Sequence, residues 1–222
     1  RDEIVTATKH PENGKMSKAL KDLVKCGFIR DYNYFGKKAK SKTYQLADYY
    51  TSFYLRFIKD NYGQDEHFWT HMLDNPKKDV WQGYSFEQLV KDHIEEVKRA
   101  LGFGSVLTQQ SSWFITKQAI EELPSNDDGS DQDEINGAQI DLLIDRRVHA
   151  INVCEVKFSD GEFVIDKDYS LRLRNKIAAF KAATKTRKSL VPTMITTFGV
   201  KRNQYSGKVQ QEIVLDDLFV GK

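Results

Sequence analysis

The sequence has little cysteine, little proline and no long apolar run. Its two cysteines, Cys26 and Cys154, form neither a Cys-x-x-Cys pair nor a Cys/His spacing typical of zinc. This argues against a zinc finger or a disulfide framework and favours a reducing cytoplasm. No stretch of about 18 apolar residues occurs, so neither a transmembrane helix nor a membrane partner is expected. A Gly-x4-Gly-Lys-Ser/Thr loop is also missing, so this segment is not expected to bind ATP through a P-loop.

The charges nearly cancel, with 34 basic and 32 acidic residues, but they are unevenly distributed. Residues 1–50 hold eleven Lys and Arg against six Asp and Glu, and residues 167–188 hold eight against one. Both stretches are candidate surfaces for phosphate groups, although each is also compatible with an ordinary solvated helix face. Residues 121–134 hold seven acids and no base, which predicts a solvated loop.

The first fifty residues predict a helix followed by a β-hairpin. Apolar residues recur at helical spacing from Met16 to Phe28, and Gly27 is a helix stop. Two short strands are expected at 28–34 and 43–46, around a basic turn at 36–42. This order is typical of the later part of a winged helix-turn-helix, so residues 1–48 are predicted to be such a unit, entered partway, in a fragment of a longer protein.

DNA is the partner that a winged helix predicts, with the second helix in a groove and the wing on phosphates. The contacts would come from seven lysines: Lys18, Lys21, Lys25, Lys37, Lys38, Lys40 and Lys42. Packing of the unit against a neighbouring domain is the alternative, and the sequence leaves both open.

Residues 49–80 are expected to form a helical linker with a buried aromatic stripe. The stripe consists of Tyr50, Phe53, Tyr54 and Phe57. Nearby, His67 and His71 are four residues apart and would share a metal if they lay on one helix face. No Glu follows His67 to complete a His-Glu-x-x-His motif, so ordinary packing is expected there instead.

A strong helix signal begins at Ser85 and continues to Leu101. Ser85 and Gln88 match a capping box, and Gly102 is expected to end the helix. In this interpretation Glu87 lies in the first turn, where the helix dipole favours a carboxylate.

Residues 139–157 predict two apolar strands, 139–145 and 150–158, around a turn at 146–149. If the turn is centred on residue 148, Asp141 lies opposite Glu155, with Cβ atoms about 5 Å apart. Lys157 is two residues beyond Glu155 and therefore shares its face. Two carboxylates and one ammonium group are thus expected to converge within an otherwise apolar hairpin.

Such a cluster is costly unless a cation neutralises the carboxylates. Mg²⁺ or Mn²⁺ suits this donor set, because Mg²⁺ binds one or two carboxylates together with waters and phosphate oxygens. Lys157 would then orient or deprotonate a water, or stabilise charge on the phosphate. The alternative is a cross-strand ion pair of Lys157 with Asp141 or Glu155 that has no catalytic role.

Asp141, Glu155 and Lys157 match the signature of the PD-(D/E)XK nucleases, with Ile140 where the signature has Pro. The whole chain resembles the C-terminal half of a family of prokaryotic AAA ATPases, in the phrases LKDLVKCGFIRDY, GYSFEQLVKDHI, AQIDLLIDR, NVCEVKFSDGEFVIDKDY and IVLDDLF. In that family an ATPase core precedes a winged helix and a PD-(D/E)XK tail domain.

The resemblance implies an α/β, restriction-endonuclease-like mixed sheet flanked by helices over residues 81–222. It also implies that Glu87 is a further metal-binding residue, that an upstream domain of the same protein binds ATP, and that DNA is the substrate. A homo-oligomer is a further expectation. Relatives of this kind include proteins that have lost catalytic residues, so a silent DNA-binding or assembly module remains the alternative to a nuclease.

Beyond the hairpin, Tyr169, Leu173, Ile177 and Phe180 predict a helix, and strands are expected at 190–197 and 213–215. Nuclease-like folds often place an extra polar residue on this helix, which makes Lys176 a candidate accessory residue. Gln139, on the hairpin, is a second candidate. Snorkelling of Lys176 out of the packed face is the interpretation that the sequence favours.

Overall fold

The computed structural model describes residues 2–36, 42–61, 63, 65–72, 74–123, 135–147 and 149–220. The chain is a mixed α/β protein that divides into two compact units, Arg1–Gln88 and Leu89–Lys222. The proposed functional division into 1–48, 49–80 and 81–222 stays a prediction. In the described part of the chain, no helix has the length and apolar character needed to cross a membrane.

The first unit begins with α1 (Asp2–Thr8) and α2 (Gly14–Lys25), followed by β1 (Ile29–Asn33) and β2 (Lys42–Leu46). The Asn13 side chain caps α2 by accepting a hydrogen bond from the Met16 amide at 3.1 Å. Gly27 follows α2 with a φ of +77°, a left-handed conformation that favours glycine. β1 and β2 pair antiparallel, with Ile29 opposite Leu46. The predicted helix and hairpin are therefore confirmed.

The predicted aromatic stripe is only half buried. Helix α3 (Tyr49–Phe53) continues into a π-helical turn (Tyr54–Ile58), and α4 (Phe68–His71) follows. Phe53 and Phe57 pack edge-on against Trp69 and Trp81, with ring centroids 5.1–5.8 Å apart. Tyr50 is instead 69% exposed and stacks on Tyr54. The four rings form two i, i+4 pairs, of which Phe53 and Phe57 are packed while Tyr50 and Tyr54 are exposed.

The helix predicted to begin at Ser85 begins nine residues earlier. Helix α5 spans Pro76–Asp92, and α6 (Ile94–Ala100) follows it. Asn75 accepts a hydrogen bond from the Lys77 amide at 2.9 Å, and a proline at the first helical position has a suitable φ. The capping-box prediction is wrong, because the Gln88 side-chain amide donates to the Leu46 carbonyl. Glu87 consequently lies in the middle of α5 and not in a first turn.

The second unit is built on a five-stranded sheet in the order β3-β4-β5-β6-β7. The strands are β3 (Gln109–Ile115), β4 (Ala138–Asp145), β5 (Ala150–Lys157), β6 (Ser189–Thr196) and β7 (Gln211–Val214). β3, β4 and β5 pair antiparallel, whereas β5, β6 and β7 are parallel. The predicted strands at 139–145, 150–158, 190–197 and 213–215 are thus confirmed, with small differences at their ends.

Helix α8 (Lys167–Thr184) connects the parallel strands β5 and β6, as a parallel pair requires a crossover. The short α7 (Lys117–Glu121) follows β3, and 3-10 turns at Ser206–Lys208 and Leu215–Leu218 flank β7. Fully buried side chains fill the unit, namely Ile140, Leu143, Ile144, Ile151, Ile165, Phe180, Ile195 and Ile213. The buried Asn152 on β5 donates hydrogen bonds to Thr193 on the adjacent β6 and to Gln211 on β7, at 2.8 and 2.6 Å.

Candidate active site

Two buried carboxylates face each other across β4 and β5. Leu142 pairs with Cys154, Leu143 with Val153 and Ile144 with Asn152, so the same register places Asp141 opposite Glu155. Asp141 is 9% exposed and Glu155 is 2% exposed. The strands carry these acids into the interior because their remaining residues are almost all apolar, as expected where both faces of a sheet are covered.

Lys157 lies between the two acids. Its Nζ is 3.8 Å from Asp141 Oδ2 and 3.7 Å from Glu155 Oε2. The backbone N–H of Val156 also donates to Asp141 Oδ2 at 3.4 Å. The Lys157 side chain is 32% exposed, so the cluster is open to solvent where Lys157 lies. The predicted convergence of Asp141, Glu155 and Lys157 is therefore present.

Helix α8 adds two side chains that contact the Glu155 carboxylate. Lys176 forms an ion pair with Glu155 Oε1, and the Tyr169 hydroxyl donates to Glu155 Oε2 at 3.2 Å. They lie seven residues apart, which is close to two helical turns, so both project from the same side of α8. Lys176 is directed into the cluster, and the favoured interpretation that it snorkels to solvent is wrong.

The pKa of the Glu155 carboxyl group is shifted by its surroundings. Burial raises its pKa above the ordinary value, the neighbouring charge of Asp141 raises it further, and Lys176 and Lys157 oppose both effects. The pKa of Tyr169 is also raised, first by burial and then by the charge of Glu155. Tyr169 therefore stays a neutral hydrogen-bond donor. The four charged side chains balance formally, two acids against two lysines.

A divalent cation fits this donor set. Asp141 and Glu155 present hard carboxylate oxygens on one face, and Mg²⁺ is often bound through one or two carboxylates, with waters and substrate phosphates completing its coordination. A cation there would also offset the repulsion that raises the pKa of Glu155. Within the described ranges, however, no group of three or more His, Cys, Asp and Glu side chains is gathered to hold a metal.

Glu87, the further metal ligand that the resemblance implies, belongs to the first unit. Its charge contributes there to raising the pKa of Tyr32 to about 12, after burial and the effects of Tyr34. Gln139 is exposed on β4 and shares the face of Asp141, two residues away. The accessory role of Gln139 stays a prediction.

The predicted DNA contacts divide into three groups. Lys18, Lys21 and Lys25 are exposed along α2, where the hypothesis places them. Lys42 is exposed on β2 but forms an ion pair with Asp31. Lys37, Lys38 and Lys40 lie outside the described residues.

The other metal hypothesis concerns His67 and His71. In the structure, Nδ1 of His71 is 2.8 Å from the Asp65 carboxylate, and this contact is exposed.

Tyr169 contacts Glu155, but in the sequence it is only one of the residues that predict a helix. The available signal was its spacing from Lys176, because two polar groups two turns apart on an otherwise apolar helix face tend to share a partner. The partner, Glu155, is supplied by the sheet, and the sequence alone gives no distance between them.

No family model matches the sequence, and none of the curated proteins is significantly similar to it. Among solved structures, the chain is similar to the crystal structure of a protein of unknown function, AF1548, at 12% identity and a TM-score of 0.36. The match covers 59% of this chain and spans 64% of the length of that protein.

Proposed function

We propose that the second unit is a metal-dependent nuclease-like domain, of the restriction-endonuclease-like type, that hydrolyses phosphodiester bonds in DNA. The observation that carries the proposal is the face-to-face pair Asp141 and Glu155 with Lys157 within 4 Å of both. Burying two like charges opposite each other weakens a fold unless the pair has a cation to bind. The first unit would contribute DNA binding as a winged helix.

Each side chain has a role in this proposal. Asp141 and Glu155 would hold Mg²⁺ or Mn²⁺. When bound, such an ion polarises the phosphate and provides hydroxide at neutral pH. Lys157, which reaches solvent, would contact the phosphate and stabilise the negative charge that develops on it. Lys176 and Tyr169 would fix both oxygens of the Glu155 carboxylate, so that Glu155 keeps one orientation.

The second candidate is a silent DNA-binding or assembly module that retains the same fold. One observation favours it: the lysines already neutralise both acids, and no third acid or histidine joins them among the described residues. In this reading the four side chains form a structural ion cluster. The resemblance to AAA ATPase tails is compatible with both candidates, because an upstream ATPase would either deliver DNA to a nuclease or use the module for assembly.

Plasmid nicking and thermal melting, measured together, separate the two candidates. We expect the protein to nick supercoiled DNA in Mg²⁺ or Mn²⁺ and not in EDTA, and to melt at a higher temperature with the metal. Asp141→Asn and Glu155→Gln should abolish both effects. Asp31→Asn is the matched control, because it removes an aspartate that pairs with a lysine across strands of the other hairpin.

The outcome for the silent module is different in both measurements. A wild-type protein without metal-dependent nicking or melting shift, whose Asp141→Asn variant melts at a lower temperature in EDTA, would contradict the nuclease proposal. The cluster would then be a stabilising element of the fold.

A further inference from the structure

A second charged feature of this unit lies between α8 and the 3-10 turn Ser206–Lys208. An open groove of about 390 Å³ is lined there by both segments. The polar side chains on its walls are Lys167, Ser170, Arg174, Gln204, Tyr205 and Lys208. This groove is separate from the acid cluster, because none of its lining residues belongs to that cluster.

The charge of the groove is of one sign. Lys167 and Arg174 are seven residues apart on α8, so they lie on one side of the helix, and Lys208 faces them from the turn. Among the described residues, no acidic side chain lines the groove. In the part of the chain that the structure describes, none of these three cations takes part in an ion pair, whereas Lys157 and Lys176 are both paired. Three unneutralised cations around one cavity favour an anionic ligand.

The groove and the acid cluster use opposite sides of helix α8, because Lys167 and Arg174 each lie two residues, or about 200° around the helix, before Tyr169 and Lys176. The two features share one core. Tyr169 and Tyr205 both pack against Ile165, Leu173 and Met194. The hydroxyl of Tyr169 contacts Glu155, while Tyr205 lines the groove. The segments that form the groove also follow the carboxyl ends of β5 and β6, the edge at which sheets of parallel strands commonly bind ligands.

We propose that this groove binds the phosphodiester backbone of DNA across helix α8 from the site that contains Asp141 and Glu155. The choice of DNA rests on the proposed function. The chemistry supports it, because Arg and Lys charges accompanied by amide and hydroxyl donors are the groups that contact backbone phosphates. Gln204, Ser170 and Tyr205 supply those donors here. Two of the eight bases in residues 167–188, Lys167 and Arg174, line this groove.

Binding of a short fluorescein-labelled DNA duplex tests the assignment. Fluorescence anisotropy in EDTA, at several salt concentrations, measures binding without cleavage. The variant with Arg174→Ala and Lys208→Ala should bind roughly tenfold more weakly at low salt, and the slope of log K against log salt should fall by about two. The matched control is the variant with Lys181→Ala and Arg187→Ala, which also removes one exposed Lys and one exposed Arg from this unit.

Equal weakening in the control variant, or a wild-type slope in the groove variant, would overturn the assignment. Lys208→Glu is a second test outside helix α8, and it should weaken binding further than Lys208→Ala. Failure of the groove is distinguishable from failure of the nuclease. Loss of DNA binding in the groove variant of a protein that never nicks DNA would leave the groove supported and contradict the nuclease. If the protein nicks DNA and the groove variant binds DNA as tightly as wild type, the nuclease would be supported and the groove assignment contradicted.

Discussion

Two antiparallel hairpins in the described part of the chain, β1–β2 and β4–β5, each place a lysine diagonally across from an aspartate, but in different surroundings. Lys42 pairs with Asp31 across β1 and β2, where the side chains are 46% and 27% exposed. Lys157 contacts Asp141 across β4 and β5, where the corresponding values are 32% and 9%. The residue directly opposite Asp31 is Tyr44, whereas the residue opposite Asp141 is Glu155.

This one difference changes the energetics. The pair on the first hairpin is an ordinary surface ion pair with one charge of each sign, and such pairs contribute little to stability. The second hairpin adds a buried carboxylate whose pKa is raised by burial and by its neighbour Asp141. A lysine–aspartate diagonal is therefore uninformative by itself, and it becomes a functional hypothesis when a second buried acid faces the first.

The largest effect that would sharpen this contrast is expected from Lys157→Met. If Lys157 stabilises charge on the phosphate, its loss should lower the nicking rate by roughly 100- to 1000-fold and leave the metal-dependent melting shift intact. The matched control is Lys188→Met, which removes a lysine that pairs with Asp145 on β4 at 2.6 Å, with a similar exposed fraction of 28%. An equal loss of nicking rate in the two variants would mean that Lys157 acts only through the overall positive charge of the protein.

The second effect concerns stability against pH in EDTA. Because the pKa of Glu155 in the folded protein is above its ordinary 4.5, its deprotonated form costs stability. The free energy of unfolding should therefore fall as pH rises from about 4.5 through the folded value. Glu155→Gln should melt higher than wild type at pH 7, and the difference should shrink as the pH is lowered towards 4.5. A Glu155→Gln variant that melts lower at pH 7 would make the ion pairs of Glu155 net stabilising.

The smallest effect is expected on the first hairpin. Lys42→Ala should lower the free energy of unfolding by about 0.5 kcal/mol or less, because the pair with Asp31 is exposed and screened. The pKa of Lys42 is raised by Asp31, so this contribution is present at neutral pH and is lost only above its ordinary 10.5. Denaturant titration at low and high salt measures it. A cost above 2 kcal/mol would contradict the description of this contact as an ordinary surface ion pair.

The parts of the fold that follow from local patterns were predictable. The hairpin of β4 and β5, its register and the pairing of Asp141 with Glu155 follow from the apolar runs and one turn centre. The start of α5 was missed because Ser85 and Gln88 imitate a capping box inside a continuing helix, while the true signal was Asn75 followed by Pro76. Lys176 could not be placed, since its partner Glu155 belongs to another element and the sequence gives no distance between them.

The position of β5 in the sheet limits how readily the backbone of the acid cluster opens. β5 is the central strand of five and is hydrogen-bonded along both edges, whereas β1 and β2 pair only with each other among the described strands. Glu155 and Lys157 are therefore carried by the strand that is hardest to open locally, and amide hydrogen exchange in residues 153–156 should require unfolding of the whole second unit. The geometry of the acid cluster is then preorganised: any ligand meets side chains whose backbone is already rigid on the timescale of binding.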